Sequence, residues 1–126
     1  MRKLIIEASV NEYMMRTQGN PHVPYLPEEI VADALACRKA GASIVHFHAR
    51  KPDGSPDHDV KTYARTVSAI RRSSDILVHP TLGDVTLDAD PEKRLAHIIE
   101  MAKDPATGPH LAPADMGSLN LDIYNP

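Results

Sequence analysis

Several features are scarce in this sequence, and each absence excludes a class of protein. The single cysteine, Cys37, cannot form an internal disulfide, which is typical of proteins in a reducing cytosol. Lysine and arginine number 14 against 17 acidic residues, so the chain has no basic excess with which to bind a nucleic-acid backbone. No apolar run approaches the ~20 residues that span a bilayer, and no signal-peptide core is recognisable. We therefore expect a cytoplasmic protein without a nucleic-acid or membrane partner.

Aromatic residues and glycine motifs are also few, whereas histidine is plentiful. The chain has no tryptophan and one phenylalanine, yet it has seven histidines and 42% hydrophobic residues in 126 positions. That hydrophobic content is enough for one packed domain. The Gly-x-Gly-x-x-Gly pattern of dinucleotide-binding folds is absent. Functional residues are therefore sought first among the histidines.

Short apolar runs alternate with segments of helical periodicity along the chain. The apolar runs predict β-strands at residues 4–10, 43–49 and 75–79, with a weaker fourth strand at residues 116–123. Apolar spacing and capping signals predict helices at residues 27–40 and 59–72, and a third helix between Pro91 and Pro105. This alternation predicts an α/β fold with a parallel sheet. A doubly wound sheet and part of a (β/α)₈ barrel both fit the pattern.

The most specific signal is the pair His46 and His48 in the second predicted strand. Side chains alternate between the faces of a strand, so residues two apart point the same way. Two imidazoles on one face can bind one divalent metal ion, and imidazole suits zinc well. His48 also lies near the carboxyl end of its strand, where functional groups gather in parallel α/β folds. The alternative is a pair of interior histidines that hydrogen-bond to neighbouring side chains.

A catalytic zinc site commonly needs a third protein ligand. The sequence offers four candidates, and no spacing selects among them: Glu7, Glu12, His79 and Asp115. His79 ends the strand that follows, and it is equally suited to hydrogen bonding within a pocket. The third ligand is therefore left open at this point.

Polar residues that follow the predicted strands are candidates for substrate binding. Glu12 begins a long proline-containing loop after the first strand, where it could bind an amine, orient a ligand or act as a base. Thr81 and Gly83 follow the third strand, and a glycine there lets backbone N–H groups approach a carboxylate or phosphate. Ser118 and Asn120 share one face of the fourth strand and need polar partners, either a ligand or a buried network.

Arg50 has the same parity as His46 and His48 along the chain. A guanidinium group in that position could hold a substrate carboxylate through two hydrogen bonds. A salt bridge with an acid of a nearby loop explains it equally well.

Four segments, taken together, resemble the β-keto acid cleavage enzyme family. They occur in the family's order along nearly the whole chain, at residues 24–30, 40–50, 53–56 and 115–120. The most specific of them is the His-x-His-x-Arg strand that follows Ala-Gly-Ala at residues 40–42.

This resemblance implies a (β/α)₈ barrel that binds one divalent metal ion, usually zinc. Family members exchange a β-keto acid with acetyl-CoA in a retro-Claisen-type reaction, which gives acetoacetate and a new acyl-CoA. Family members are commonly homotetramers, so a homo-oligomer is expected. By position, His46 and His48 match the family's histidine metal ligands. Five further positions match residues that contact the keto acid: Glu12, Thr81, Gly83, Ser118 and Asn120.

The chain also departs from the family pattern. Pro80 stands where the family often has a serine, and the family's third metal ligand (a glutamate), its catalytic arginine and a partner aspartate lie in later strands, beyond Pro126. A (β/α)₈ barrel needs about 250 residues. We therefore expect residues 1–126 to be the N-terminal half of one barrel domain, with four βα units, no internal boundary and no activity alone. Two alternatives are a metal-dependent hydrolase barrel and a non-catalytic half-barrel that needs a partner chain.

Overall fold

A computed structural model describes residues 3–12, 16–82 and 91–114 of the chain. The elements are β1 Glu7–Ser9, a short 3₁₀-helix Arg16–Gln18, α1 Pro27–Lys39, β2 Ile44–Phe47, α2 Val60–Ser73, β3 Leu77–Pro80 and α3 Pro91–Met101. The first three predicted strands and the three predicted helices are thus confirmed in the predicted order, although β1 covers only three of the seven residues predicted for the first strand. The predicted fourth strand, residues 116–123, lies outside the described residues. In the described ranges, no helix is long and apolar enough to cross a membrane.

The three strands form one parallel sheet whose order, β1-β2-β3, follows the chain. Its register places Ser9 beside His46, and His46 beside His79. A doubly wound sheet reverses its strand order at a switch point and carries helices on both faces. Sequential parallel strands with helices on one face occur in a (β/α)₈ barrel and also in the first half of a doubly wound sheet. The described residues therefore fit both predicted architectures.

The two faces of the sheet differ in what covers them. On the covered face, Val45, Phe47 and Val78 are fully buried in one core cluster with residues of α1, α2 and α3. The opposite face, called the open face from here on, is defined by the alternate residues of the strands. Each of these side chains is exposed or half-buried: Glu7, Ser9, Ile44, His46, Leu77 and His79.

The start of α1 is fixed by Glu29 in its first turn. The carboxylate of Glu29 accepts the backbone N–H groups of Tyr25 at 2.8 Å and Leu26 at 2.9 Å. Arg16, in the loop after β1, donates to the same carboxylate at 2.5 Å. The hydrogen bond from Leu26, followed by that from Tyr25, lowers the pKa of Glu29, and Arg16 adds to this effect. The loop that follows β1 is therefore tied to the helix beside it.

Two predicted turns depend on glycine. Gly41 ends α1 with φ of 110°, and Gly54 lies in the loop after β2 with φ of 86°. Residues with a Cβ rarely adopt such values, so glycine suits both positions. The next helix, α2, begins after Asp59, whose carboxylate accepts the N–H of Lys61 at 3.2 Å.

The chain after α3 returns to β3. The N–H groups of His110 and Leu111 both donate to the carbonyl of Val78, at 3.0 Å and 3.2 Å. The N–H of Val78 in turn donates to Nδ1 of His110 at 3.0 Å. The residues that lead towards the predicted fourth strand therefore already lie against this sheet.

Candidate metal centre

The end of β2 presents His46 and His48 together. Their Nε2 atoms lie 3.1 Å apart, and their rings meet edge to face with centroids 5.0 Å apart. Two nitrogens bound to one zinc ion at ~2.0–2.1 Å each lie about this far apart or slightly farther. The two nitrogens form a hydrogen bond, so one of them carries a proton, and a metal ion bound by both imidazoles would replace that proton.

A hydrogen bond on the far side of the His46 ring fixes its tautomer. Nδ1 of His46 lies 2.8 Å from the backbone carbonyl oxygen of His79. A carbonyl oxygen can only accept, so Nδ1 carries the proton and Nε2 of the neutral ring carries a lone pair. Metal-binding histidines are commonly oriented by such a hydrogen bond from their other nitrogen. Nε2 of His46 therefore accepts the hydrogen bond from Nε2 of His48, and it is the atom of His46 that would face a cation.

Burial lowers the pKa of His46 below its ordinary value. The carbonyl of His79 and the carboxylates of Glu7 and Glu12 act in the opposite direction, but burial is the largest cause. Desolvation disfavours the charged imidazolium, so His46 is neutral at pH 7. The neutral form is the one that binds metal.

Asn11, at the end of β1, holds the backbone of His48. Its side-chain Oδ1 accepts the N–H of His48 at 2.7 Å, while its Nδ2 donates to the carbonyl of His48 at 2.9 Å. Nδ2 also donates to the carbonyl of Pro24 at 2.8 Å. Asn11 was not singled out from the sequence, although its position beside Glu12 at a strand end was a usable signal. It joins β1, β2 and the intervening loop at the candidate site.

Two of the four candidate third ligands lie beside His46, in a group that does not include His48. The carboxylate of Glu7 accepts a hydrogen bond from Nδ1 of His79 at 2.5 Å, and the ring of His79 lies with its centroid 5.2 Å from that of His46. One ligand atom from each of Glu7, His46 and His79 lies within 4.8 Å of the other two, so this triad could hold a metal ion. Glu12 is exposed beyond the carboxyl end of β1.

Thr81 is the predicted substrate-binding residue that the structure places beside the histidine pair. It is buried, and it lines a narrow cleft together with His48, Arg50 and Tyr63. The N–H of Thr81 donates to the carbonyl of Phe47 at 3.0 Å, which holds it against the end of β2. The remaining predicted positions lie outside the described residues: Gly83, Asp115, Ser118 and Asn120.

Arg50 holds the loop after β2. It is buried, and its Nη1 donates to the carbonyl of Gly54 at 2.7 Å. Its guanidinium group also lies over the ring of Tyr25, 5.5 Å from the centroid. These contacts tie the loop after β2 to the segment that precedes α1.

His97 of α3 holds the backbone of Thr81 through a hydrogen bond, a role that the sequence did not reveal. It is almost fully buried, and its Nε2–H donates to the carbonyl of Thr81 at 3.0 Å. Its ring packs on Tyr63 with centroids 4.5 Å apart. Burial lowers the pKa of His97, although the hydrogen bond to Thr81 acts in the opposite direction. The imidazole is therefore a neutral structural support at pH 7.

The fold and the site together define a parallel α/β protein with a histidine-rich candidate metal centre at the carboxyl end of its second strand. Comparison with known proteins narrows this class to one family. The chain belongs to the family described as beta-keto acid cleavage enzyme, which matches residues 3–125. The resemblance inferred from the sequence is thereby confirmed.

Individual relatives agree with this assignment. The chain is 34% identical over 122 residues to proteins named 3-keto-5-aminohexanoate cleavage enzyme from Fusobacterium nucleatum and Acetoanaerobium sticklandii, covering 96% of this chain and 42% of each relative. It is 31% identical over 124 residues to a 3,5-dioxohexanoate:acetyl-CoA acetone transferase from Paraburkholderia graminis, covering 98% of this chain and 38% of that protein. The chain thus spans about two fifths of the length of these curated relatives.

Proposed function

We propose that the protein is a metal-dependent enzyme that exchanges a small β-keto acid with acetyl-CoA, giving acetoacetate and an acyl-CoA. The names of its relatives support this reaction, since they describe a keto-acid cleavage enzyme and an acetyl-CoA-dependent transferase. The observation that carries the proposal is the His46–His48 pair, whose Nε2 atoms converge to 3.1 Å at the carboxyl end of β2.

Zinc is the cation that these donors suit best, because imidazole nitrogen is a preferred zinc ligand. A bound zinc ion would supply Lewis-acid polarisation of the 3-keto oxygen and so favour cleavage of the adjacent carbon–carbon bond. The chain's own contribution is orientation. The carbonyl of His79 directs Nε2 of His46 towards the site, and Asn11 fixes the backbone of His48.

We propose that the loop after β3 binds the carboxylate of the keto acid, through Thr81 and the neighbouring Gly83. In support, Thr81 lines the same narrow cleft as His48. Glu12 would recognise the distal group of the substrate from the opposite side, since it is exposed at the same end of the sheet. Ser118 and Asn120 are proposed to contact the keto acid as well, on the strength of the family resemblance.

We also propose that residues 1–126 form the N-terminal half of a single (β/α)₈ barrel domain, with four βα units, in a cytoplasmic homo-oligomer. The family match supports the barrel, and the sequential parallel strands of the described residues are compatible with it. The match to 42% of the length of two relatives agrees with about half a barrel. Because the family's remaining catalytic groups are carried by later strands, we expect the isolated 126 residues to be inactive.

The reaction is tested on the protein as its gene encodes it, stripped with a chelator and reloaded with Zn²⁺. Candidate β-keto acids, including 3-keto-5-aminohexanoate and 3,5-dioxohexanoate, are incubated with acetyl-CoA, and acetoacetate and acyl-CoA are measured by mass spectrometry. We expect both products only with acetyl-CoA and metal present. His46→Ala should reduce turnover by about 100-fold or more, since loss of even an outer partner of a metal ligand costs 10–100-fold. Glu28→Gln, an exposed substitution on α1, is the matched control.

Two results would contradict this function. The first is a purified protein without stoichiometric metal whose activity survives His46→Ala. The second is hydrolysis of amides or lactones without acetyl-CoA, which would indicate the metal-dependent hydrolase instead.

A further inference from the structure

We propose that Tyr63 and His97 are positioning residues for the reaction, which together fix the distance between the carboxyl ends of β2 and β3. Tyr63 belongs to α2 and His97 to α3, so both act from the covered face of the sheet. The inference rests on the proposed function in one respect: it takes His48 as a metal ligand and Thr81 as a substrate-binding residue.

Each member of the pair holds the backbone of one strand end. The hydroxyl oxygen of Tyr63 accepts the N–H of Ala49, the residue that follows His48, at 3.2 Å. The Nε2–H of His97 donates to the carbonyl of Thr81 at 3.0 Å. Both hydrogen bonds are made to backbone atoms, so the pair determines where the two strand ends lie.

The two side chains act as one unit because their rings are in contact. The ring centroids of Tyr63 and His97 lie 4.5 Å apart, and the two residues are only 1% and 3% exposed. Phe47 of β2 also stacks on Tyr63, with centroids 5.8 Å apart. Closely packed interiors leave no space into which one ring could move alone. A shift of His97 therefore displaces Tyr63, and through Tyr63 it reaches the end of β2.

The site beside the pair tolerates little displacement. The cleft lined by His48, Tyr63 and Thr81 has a volume of ≈ 10 Å³, about the space of one water molecule. Thr81 is held on both sides of its backbone, since its N–H donates to the carbonyl of Phe47 and its carbonyl accepts from His97. Loss of the bond from His97 would free one side, and misplacing a substrate-binding group by about 1 Å is enough to weaken catalysis.

The test compares His97→Phe with His97→Gln in the zinc-loaded protein as its gene encodes it. Phenylalanine keeps a ring against Tyr63 and removes the hydrogen-bond donor, whereas glutamine keeps an N–H donor at the end of the side chain. His22→Phe, the same substitution at an exposed loop position, is the matched control. Far-ultraviolet circular dichroism verifies folding, and KM for the keto acid, kcat and zinc content are measured. Hydrogen–deuterium exchange with mass spectrometry follows peptides that contain Ala49.

We expect His97→Phe to raise KM for the keto acid by about 10-fold with kcat and zinc content unchanged, because binding that is equal in the ground state and the transition state affects KM alone. His97→Gln should restore most of this loss, which a purely structural role of the residue would not explain. Exchange at Ala49 should accelerate in His97→Phe, although Ala49 bonds to Tyr63 and not to His97.

Equal KM values for His97→Phe and His97→Gln would overturn the proposal, and so would unchanged exchange at Ala49 in His97→Phe. If the original protein turns over no β-keto acid with acetyl-CoA, the proposed function fails and the exchange measurement alone decides this inference. Accelerated exchange then supports the coupling of the two strand ends, and unchanged exchange overturns it.

Discussion

The covered and open faces of the sheet are built from the same three strands and yet have opposite character. On the covered face, Val45, Phe47 and Val78 are completely buried among helix residues. On the open face, His46 and His79 are only half-buried, and Nδ1 of each ring forms a hydrogen bond to another group of the site. Alternate residues along one strand therefore have different roles. One set supplies the free energy of folding, and the other supplies the proposed chemistry.

The largest expected effect is a loss of stability when a buried residue of the covered face is truncated. Phe47 is fully buried and stacks on Tyr63 with ring centroids 5.8 Å apart. We expect Phe47→Ala to lower the free energy of unfolding by about 3–5 kcal/mol, because it leaves a cavity that the helices cannot fill. Urea denaturation followed by circular dichroism measures the loss. His46→Ala, one residue away on the open face, should lower the free energy of unfolding much less. An equal loss would contradict the different roles of the two faces.

An intermediate effect, on zinc binding, is expected from Asn11, which holds the backbone of His48. Asn11→Ala removes the hydrogen bonds that hold the backbone of His48 and should weaken zinc binding by about 10–100-fold. Calorimetric titration of the metal-free chain measures this change. Asn20→Ala, the same substitution at an exposed loop position, is the matched control and should leave the affinity unaltered. If the two variants bind zinc equally well, the hydrogen bonds from Asn11 do not contribute to the metal centre.

The smallest effect concerns the pH dependence of stability. Burial lowers the pKa of His97, while the unfolded chain has a histidine pKa of about 6.5. Between these two values the unfolded state binds more protons than the folded state. Stability is therefore fully present above pH 6.5 and is lost as the pH falls below it.

His97→Gln should make that decline shallower, because glutamine does not titrate. Thermal melts between pH 7.5 and pH 5 compare the variant with the original chain. His46 and His110, whose pKa values are also lowered mainly by burial, should account for the slope that persists. An unchanged slope in the variant would show that His97 is not buried as a neutral group.

Local patterns predicted most of the fold. Strand and helix positions followed from apolar periodicity, and the start of α1 followed from Pro27 and the two acidic residues that come directly after it, Glu28 and Glu29. The convergence of His46 and His48 also followed locally, because strand alternation alone puts residues two apart on one face.

Contacts between distant residues could not be predicted in the same way. Glu7 and His79 are 72 residues apart, and Asn11 and His48 are 37 apart. Their contacts depend on the register of neighbouring strands, which a single sequence does not state. The same reason explains why four candidates for a third ligand were left open and why the support of Thr81 by His97 was missed.

The row formed by Ser9, His46 and His79 also sets a rule for engineering this chain. Side-chain direction along a strand has a period of two, so the face that a residue occupies depends on whether its position along the strand is odd or even. Deleting one residue before His46 within β2 would send the imidazole into the helix interface and bring Phe47 out to the solvent side. An insertion in the loop between Pro52 and Pro56 would shift no strand residue. Redesign of this sheet should therefore change residues in place and confine changes of length to its loops.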